Sequence, residues 1–400
     1  MKVLVADKFE QSGLNGLKEL GAEVVSDPSL KEEALEAKIK ETGAEILVVR
    51  STKVTEPMMK GSKLGLIIRA GAGFNTIDVE AAGNNGIRVA NCPGKNSIAV
   101  AELAFGLILS IDRKIPDNVA ELRKGNWKKG SFSKAKGVYG RTLGLVGLGN
   151  ISQEMIPRAK AFGMNVVAYS RWMTADIAAA LGIGRAATLG ELAALSDFVS
   201  VHVSLNPGTK GMIDESLFAK LKPGAVLINT SRAEVVDSAA MLKALEEGKL
   251  FAGLDVFDNE PAGSEGTYDG PLKDNARAYC THHIGASTEQ AQEAVAAETV
   301  RIVKQYMSNG SVLNAVNVQK AGKATHLIVL RYANQVGVLG SVISLLKEAG
   351  VTVQEMENIG LGADSKAAIA ELSVDKEPSD EVVWKIKLTQ DVFDASVFPL

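Results

Sequence analysis

Cysteine is nearly absent from this sequence of 400 residues, which contains two, Cys92 and Cys280. They lie far apart in apolar stretches, so we expect buried, reduced thiols rather than a disulfide. Histidine is also scarce, with four residues, and no group of metal-binding side chains has the spacing of a metal site. The sequence therefore excludes a disulfide scaffold and predicts no bound metal.

An excess of one charge is also lacking, since 44 Lys and Arg balance 47 Asp and Glu to a net charge of −3. This balance argues against a nucleic-acid partner and against a charged membrane surface. No apolar run is long enough to span a bilayer, and residues 1–7 are typical of a strand rather than a signal peptide. We expect a cytoplasmic globular protein with two or three domains and no membrane partner.

Short apolar strands alternate with helical stretches through most of the chain. In the first part, strands are predicted at residues 2–6, 23–25, 46–50, 64–69 and 87–91. Six more are predicted at residues 143–146, 166–169, 198–203, 225–230, 251–256 and 278–282. Such alternation gives α/β folds with doubly wound parallel sheets, which bind ligands at the carboxyl ends of their strands. Residues 325–400 instead follow the order βαββαβ, which predicts a ferredoxin-like module.

The segment 142–152, Thr-Leu-Gly-Leu-Val-Gly-Leu-Gly-Asn-Ile-Ser, predicts a strand, a tight turn and the start of a helix. In this arrangement backbone N–H groups and the helix dipole face the pyrophosphate of a dinucleotide. Ser152 replaces the last glycine of the usual G-x-G-x-x-G pattern and is small enough to pack closely. The expected contacts are Gly147, Gly149, Asn150 and Ile151. A turn that holds no ligand is the alternative for an isolated motif of this kind.

Polar clusters follow three strands of the second half, at residues 229–232, 255–261 and 282–287. Because parallel strands end at one sheet edge, these clusters place an arginine, an acid and a histidine near a bound nicotinamide. Arg232 would pair with a substrate carboxylate, and His283 would take a hydroxyl proton while Glu260 holds the imidazole. Taken singly, each side chain is more often explained by a structural role or simple solvation at a strand end, but the combination of the three favours a catalytic site.

Together with Arg69-Ala-Gly-Ala-Gly73 and Pro93-Gly-Lys-Asn-Ser97, these clusters resemble the D-isomer-specific 2-hydroxyacid dehydrogenases over residues 1 to about 315. The resemblance implies a flavodoxin-like substrate-binding domain formed by residues 1–96 and 287–315. It implies a Rossmann-type dinucleotide-binding domain, residues 97–286, inserted in the first. Residues 316–324 would be a linker, and residues 325–400 resemble the ACT module that many members carry.

The resemblance also assigns roles to individual residues. Arg232, Glu260 and His283 match the catalytic residues of the family. The positions that match substrate-binding segments are Arg50, Arg69, Ala72, Gly73 and Asn96. Beyond the glycine turn, the positions expected to bind the cofactor are Ser170, Arg171, Ser231, Arg232, Asp255 and His283.

Arg50 and Arg69 match arginines that lie near a substrate phosphate, and two fixed cations suit a phosphate dianion. This favours the branch of the family that oxidises D-3-phosphoglycerate to 3-phosphohydroxypyruvate, the first step of L-serine synthesis. A reductase of hydroxypyruvate or glyoxylate that uses NADP(H) is the alternative. A non-catalytic protein that senses dinucleotides is an alternative of another class.

The cofactor is the most consequential departure from the family pattern. Members that use NAD carry a carboxylate after the second strand of the dinucleotide-binding sheet, where this chain has Ser170 and Arg171. A serine and an arginine could accept the 2′-phosphate of NADP, or Arg171 could be solvated while NAD binds with fewer hydrogen bonds. The sequence leaves NAD and NADP equally open.

Other departures bear on the substrate loop and the proton acceptor. Lys95 replaces a usual glycine and is expected to put a cation near the substrate loop. His282 replaces a usual proline, and alignment with Ile284 and Gly285 selects His283 over it. Glu234 follows Arg232 closely and either approaches that cation or points to solvent.

The terminal module keeps Asn334 and Gly337 of the serine-sensing ACT pattern but lacks its histidine and proline. An amino-acid effector at this module and a role in assembly therefore both stay open. The resemblance further implies a homodimer or homotetramer.

Overall fold

A computed structural model describes residues 1–261, 265–318, 324–361 and 365–400. The chain forms two compact units, Met1–Asn317 and Val318–Leu400. The predicted linker, residues 316–324, includes residues 319–323, which lie outside the described residues. The predicted division of the first unit into two domains stays a prediction.

The first unit begins with a parallel sheet of five strands, each four residues long. They are β1 (Lys2–Val5), β2 (Glu23–Ser26), β3 (Ile46–Val49), β4 (Leu66–Arg69) and β5 (Arg88–Asn91), in the spatial order β2-β1-β3-β4-β5. The connecting helices are α1 (Gln11–Glu19), α2 (Glu32–Thr42), α3 (Glu56–Met59) and α4 (Val79–Asn84). All four residues of β3 are buried, because apolar clusters cover both faces of the sheet. The strand order is that of flavodoxin-like folds.

A second parallel sheet follows three helices, α5 (Ser97–Arg113), α6 (Ile115–Arg123) and α7 (Lys129–Phe132). Its strands are β6 (Thr142–Val146), β7 (Asn165–Tyr169), β8 (Gly184–Arg185), β9 (Phe198–Val201), β10 (Ala225–Asn229), β11 (Leu250–Leu254) and β12 (Ala278–Cys280). Its helices are α8 (Asn150–Ala161), α9 (Ala175–Leu181), α10 (Leu189–Leu195), α11 (Glu215–Phe218) and α12 (Ser238–Glu246), and α13 (Glu289–Asn309) ends the unit.

The spatial order of this sheet is β12-β11-β10-β9-β6-β7-β8. The order of the strands therefore reverses between β6 and β9, which is where doubly wound sheets bind dinucleotides. The predicted α/β architecture is confirmed, but the sheet has seven strands instead of the predicted six. The extra strand, β8, has two residues and is too short to give a sequence pattern.

The two cysteines differ in a way that the sequence analysis missed. Cys92 follows β5 and is buried, as predicted, whereas Cys280 is exposed. Cys280 ends β12, the edge strand of its sheet, where one side has no neighbouring strand to cover it. The prediction of a buried Cys280 was wrong, because apolar neighbours in the sequence do not show whether a strand lies at the edge of its sheet.

The second unit is an antiparallel sheet with two helices. Its elements are β13 (His326–Ala333), α14 (Val338–Glu348), β14 (Val353–Gly360), β15 (Ala367–Val374), α15 (Asp380–Lys387) and β16 (Val392–Pro399). The spatial order β14-β15-β13-β16 confirms the predicted ferredoxin-like module. Buried Tyr332 donates a hydrogen bond to Oδ1 of Asn358 at 3.0 Å. Binding of an amino-acid effector to this unit stays a prediction.

None of the helices within the described ranges is both long and apolar enough to cross a membrane.

Candidate active site

A cleft of about 1020 Å³ opens within the first unit, lined by loops at the carboxyl ends of both sheets. It brings together most of the residues that the sequence predicted. The first sheet contributes Arg50, Arg69, Ala72, Gly73 and Asn96. The second contributes Gly149, Asn150, Ile151, Ser231, Arg232, Asp255, Glu260 and His283. Gly147, Ser170 and Arg171 do not line this cleft.

His283 and Glu260 form a hydrogen-bonded pair at one side of the cleft. Nδ1 of His283 lies 2.8 Å from Oε2 of Glu260. The other carboxylate oxygen of Glu260 accepts a hydrogen bond from the backbone N–H of Phe257 at 2.9 Å. With both oxygens of Glu260 bound and Nδ1 occupied, Nε2 is the imidazole nitrogen left to exchange a proton with a substrate.

Asp255 holds the loop that carries His283. Its buried carboxylate accepts hydrogen bonds from Oγ1 of Thr281 at 2.6 Å and from the N–H groups of Ile284 at 2.9 Å and Gly285 at 2.7 Å. His283 itself has a φ of 53°, a left-handed conformation that is costly for a non-glycine residue. These bonds on both sides of His283 stabilise that conformation. The expected contact between Asp255 and the cofactor stays a prediction.

The pairing changes the proton affinity of both partners. The hydrogen bond with Glu260 is the largest influence on His283 and raises the pKa of the imidazole above its usual value. Burial alone would raise the pKa of Glu260, but hydrogen bonds from His283 and Phe257 outweigh it and lower that pKa. The pair is therefore poised as an imidazole that gains a proton readily beside a carboxylate that stays charged.

If the chain carries out the hydroxy-acid oxidation that the family resemblance implies, we expect Glu260→Gln to shift its pH profile. Oxidation needs an unprotonated imidazole, so its rate rises as pH increases through the pKa of His283. Removing the carboxylate lowers that pKa, and the acid limb of kcat/KM should move to lower pH. Rates measured from acid to alkaline pH check this, and an acid limb that stays in place or moves to higher pH contradicts it.

His282 is exposed and does not line the cleft. Of the two adjacent histidines, the structure pairs only His283 with Glu260.

Arg232 crosses the cleft from the second sheet toward the first. Its Nη1 donates to the carbonyl of Ser231 at 2.6 Å, and its Nη2 donates to Oδ1 of Asn75 at 3.3 Å. Buried Asn229 shapes the turn beneath it by donating to the carbonyl of Arg232 at 2.9 Å. A Cβ at Gly73 would lie 2.0 Å from Nη2 of Arg232, so a larger residue there would displace the guanidinium from this place.

Arg69 is a half-buried cation with other cations around it. Burial, followed by the charges of Arg232 and Arg50, lowers the pKa of Arg69 to about 10. Its Nε is buried without a hydrogen-bond partner among the residues that the structure describes. Nη1 of Arg50 donates to Oε1 of Gln292 at 3.0 Å.

Within the described ranges, none of these three arginines forms an ion pair with a carboxylate. Cations that lie close together and form no ion pair repel one another, and a bound anion relieves that repulsion. The cleft is therefore built to receive negative charge beside the His283–Glu260 pair.

The glycine loop after β6 fits a dinucleotide pyrophosphate. Gly147 has a φ of 92°, and a Cβ there would lie 2.7 Å from the carbonyl oxygen of His202. Oγ of buried Ser152 donates to the carbonyl of Gly147 at 2.8 Å and closes the loop. Helix α8 begins directly after Gly149, which directs its first N–H groups to the cleft. The serine thus supports the loop where the usual pattern has a third glycine.

The end of β7 carries no carboxylate. Ser170 is half-buried, Arg171 is exposed, and the side chain of the next residue, Trp172, is 80% exposed. Arg171 forms no ion pair with any residue in the described part of the chain.

His202 and Gln292 are among the cleft residues that were not predicted from the sequence. His202 follows β9, lies beside the glycine loop, and has its Nε2 2.8 Å from Oγ of Ser200. Burial lowers the pKa of His202 to about 3, so it stays neutral near neutral pH. Gln292, on α13, orients Arg50. His202 could have been found from its place after a buried strand, but the predicted strand extended past it to residue 203.

The structure also places two charged residues that depart from the family pattern. Lys95 does not line the cleft, and its Nζ lies 3.3 Å from Oε2 of Glu298, so the cation expected near the substrate loop is paired with a carboxylate. A carboxylate distant in sequence captures the lysine. Glu234 is exposed at the cleft rim.

Comparisons with known proteins agree with this geometry. A sequence-family model for the NAD-binding domain of the D-isomer specific 2-hydroxyacid dehydrogenases matches residues 105–285. The D-3-phosphoglycerate dehydrogenase of Methanocaldococcus jannaschii is 38% identical over 364 residues, which are 89% of this chain and 67% of that protein. The chain thus spans about two thirds of the length of this curated relative.

Solved structures show the same similarity. An NAD+-bound 3-phosphoglycerate dehydrogenase of Entamoeba histolytica aligns with a TM-score of 0.66 at 27% identity, covering 80% of this chain and 99% of that one. An acyclic imino acid reductase in complex with NADPH and D-Arg aligns with a TM-score of 0.70 at 27% identity, covering 79% of this chain and all of that one.

Proposed function

The chain belongs to the D-isomer-specific 2-hydroxyacid dehydrogenases, and from that premise we propose that it oxidises D-3-phosphoglycerate to 3-phosphohydroxypyruvate. The electron acceptor is a nicotinamide dinucleotide, and the reaction is the step that opens L-serine synthesis. The observation that carries the proposal is a group of three arginines that form no ion pair, beside a His–Glu pair, all within the described part of the chain. This arrangement suits a substrate with two anionic groups and an oxidisable hydroxyl between them.

The side chains divide the work of the reaction. Arg232 holds the substrate carboxylate, and Nε2 of His283 takes the proton of the C2 hydroxyl. Glu260 stabilises the imidazolium that forms, since its carboxylate already bonds Nδ1. The bound dinucleotide supplies the acceptor for the hydride that leaves C2, so two electrons leave the alcohol and the C–O bond becomes a carbonyl.

Arg50 and Arg69 supply the specificity for a phosphorylated substrate. Each terminates or follows a strand of the first sheet and lines the cleft, and Arg69 keeps a buried Nε that no described residue bonds. A phosphate dianion would pair with both guanidinium groups and remove their mutual repulsion. Lactate or glyoxylate has no second anionic group to offer them.

For the cofactor, the end of β7 supports NADP over NAD. Residues 170 and 171 include no carboxylate that could accept hydrogen bonds from the adenosine ribose. Ser170 stands in its place, and the exposed Arg171 follows. The positive charge of Arg171 suits the 2′-phosphate that distinguishes NADP. The same observation favours an NADP(H)-dependent reductase of hydroxypyruvate or glyoxylate as the second candidate function.

Initial rates at alkaline pH test the proposal, with D-3-phosphoglycerate and either NAD or NADP in parallel. We expect turnover, with a higher kcat/KM for NADP. If D-3-phosphoglycerate is not turned over with either cofactor, while NADPH is consumed with hydroxypyruvate or glyoxylate, the protein belongs to the reductase branch. No turnover in any assay, with dinucleotide binding retained, would favour the sensing protein.

A further inference from the structure

Glu298 of α13 is a buried charge that takes no part in the reaction described above. Its side chain is 4% exposed and accepts two hydrogen bonds from Arg301, at 2.6 and 3.0 Å. It also accepts one from Nδ2 of Asn314 at 2.8 Å, and Nζ of Lys95 lies 3.3 Å away. The bond from Arg301, with those from Asn314 and Lys95, overcomes burial and lowers the pKa of Glu298 to about 2. Glu298 therefore stays charged near neutral pH and connects α13 with the segment of Asn314 and the loop of Lys95.

Lys95 links this anion to the substrate side of the cleft. It lies in the loop of residues 92–96 that joins β5 to α5, and its neighbours Gly94 and Asn96 line the cleft. Asn96 occupies the N-cap position of α5 but makes no capping hydrogen bond with its side chain. Its amide is thus not used by the helix and can face a ligand.

The same loop packs against the dinucleotide-binding loop. Gly94 has a φ of 77°, and a Cβ there would lie 2.8 Å from Nδ2 of Asn150. A shift of the 92–96 loop would therefore move groups on both the substrate side and the cofactor side of the cleft.

On its other side, Glu298 holds the segment that returns from α13 to the first sheet. Asn314 has a φ of 54°, and its carbonyl accepts a hydrogen bond from the N–H of Asn91 at 3.4 Å. The N–H of Val316 donates to the carbonyl of Val89 at 2.8 Å. Glu298 thus braces β5 along its edge through Asn314 and braces the loop after β5 through Lys95.

We propose that Lys95 is a positioning residue, which holds the 92–96 loop against Glu298 so that the amide of Asn96 is placed for the hydroxy acid. This inference rests on the proposed function for the identity of the substrate. Because Lys95 pairs with Glu298 and does not line the cleft, it acts through the loop and not as a cation that binds the substrate. A glycine at this position, as the family usually has, would leave the loop without this anchor.

Steady-state kinetics of Lys95→Met test the proposal. We expect KM for D-3-phosphoglycerate to rise about three- to fivefold with kcat unchanged. The KM for the dinucleotide should rise less, because the loop also lies against Asn150. Lys95→Arg should restore KM, since it can still reach Glu298. Lys60→Met, which removes an exposed lysine outside the cleft, is the matched control and should leave all constants unchanged. In an Asn96→Ala background, Lys95→Met should have no additional effect on KM.

Hydrogen exchange provides a readout that does not depend on turnover. Backbone amides of residues 92–97 in the full chain should exchange faster in Lys95→Met than in the wild type, and at the wild-type rate in Lys95→Arg. Unchanged exchange would overturn the proposal, as would a Lys95→Met effect on KM that persists in full without the Asn96 amide. If the wild type does not oxidise D-3-phosphoglycerate, the proposed function fails while the exchange experiment still decides the role of Lys95.

Discussion

We expect His283→Ala to lower kcat by about 10²–10⁴-fold, the usual contribution of a positioned general base. The variant removes the only imidazole in the described cleft whose Nδ1 bonds a carboxylate, that of Glu260 at 2.8 Å, and whose Nε2 is left to accept a proton. Binding of the dinucleotide should be little changed, because the glycine loop is formed by other elements. Steady-state rates and a fluorescence titration with the dinucleotide measure the two quantities separately.

His282→Ala is the matched control for this prediction. It removes an adjacent imidazole that is exposed and outside the cleft, so kcat should stay within about twofold of the wild-type value. If His282→Ala and His283→Ala were to lose activity equally, or if His283→Ala kept its turnover, the assignment of the proton acceptor would be wrong.

The second large effect is expected from Arg69→Met. The variant should lower kcat/KM for D-3-phosphoglycerate by about 10²–10³-fold, the cost of losing one partner of a buried charge pair. Oxidation of unphosphorylated D-glycerate, which is slow in the wild type, should change much less. Parallel assays of the two substrates measure this difference. An equal loss of kcat/KM for both would show that Arg69 does not bind the phosphate.

Stability gives an independent check on the same variant. Arg69 is half-buried, its Nε has no partner among the described residues, and its pKa is lowered by burial and then by Arg232 and Arg50. The methionine substitution would remove a repelled cation from the ligand-free protein, so the Tm of the variant should equal or exceed that of the wild type. A large loss of Tm would mean that Arg69 stabilises the folded protein, which contradicts a site in which repulsion between arginines is relieved only when an anion binds.

The features that could be predicted from the sequence are those encoded locally. The apolar strands 46–49 and 225–229 and the glycine turn at 147–149 each carry their pattern within a few residues. The order of these elements then determines which loops share a sheet edge, so Arg232, Glu260 and His283 could be expected at one cleft.

The features that were missed depend on contacts between distant parts of the chain. Lys95 was expected to put a cation near the substrate loop, but its pairing with Glu298 was missed, because Glu298 lies on a helix that returns to the first sheet much later in the sequence. The exposure of Cys280 and the two-residue strand β8 depend on their position in the sheet rather than on neighbouring residues. The burial of His202 depends on where β9 ends.

Transfer of deuterium tests the central claim most directly. The full chain would be incubated with D-3-phosphoglycerate that carries deuterium at C2, in one sample with NADP and in another with NAD. The products of each sample would be analysed by mass spectrometry. The proposed function predicts deuterium in the reduced dinucleotide and 3-phosphohydroxypyruvate as the second product, both greatly diminished in His283→Ala. Unlabelled or absent reduced dinucleotide with both cofactors would contradict it.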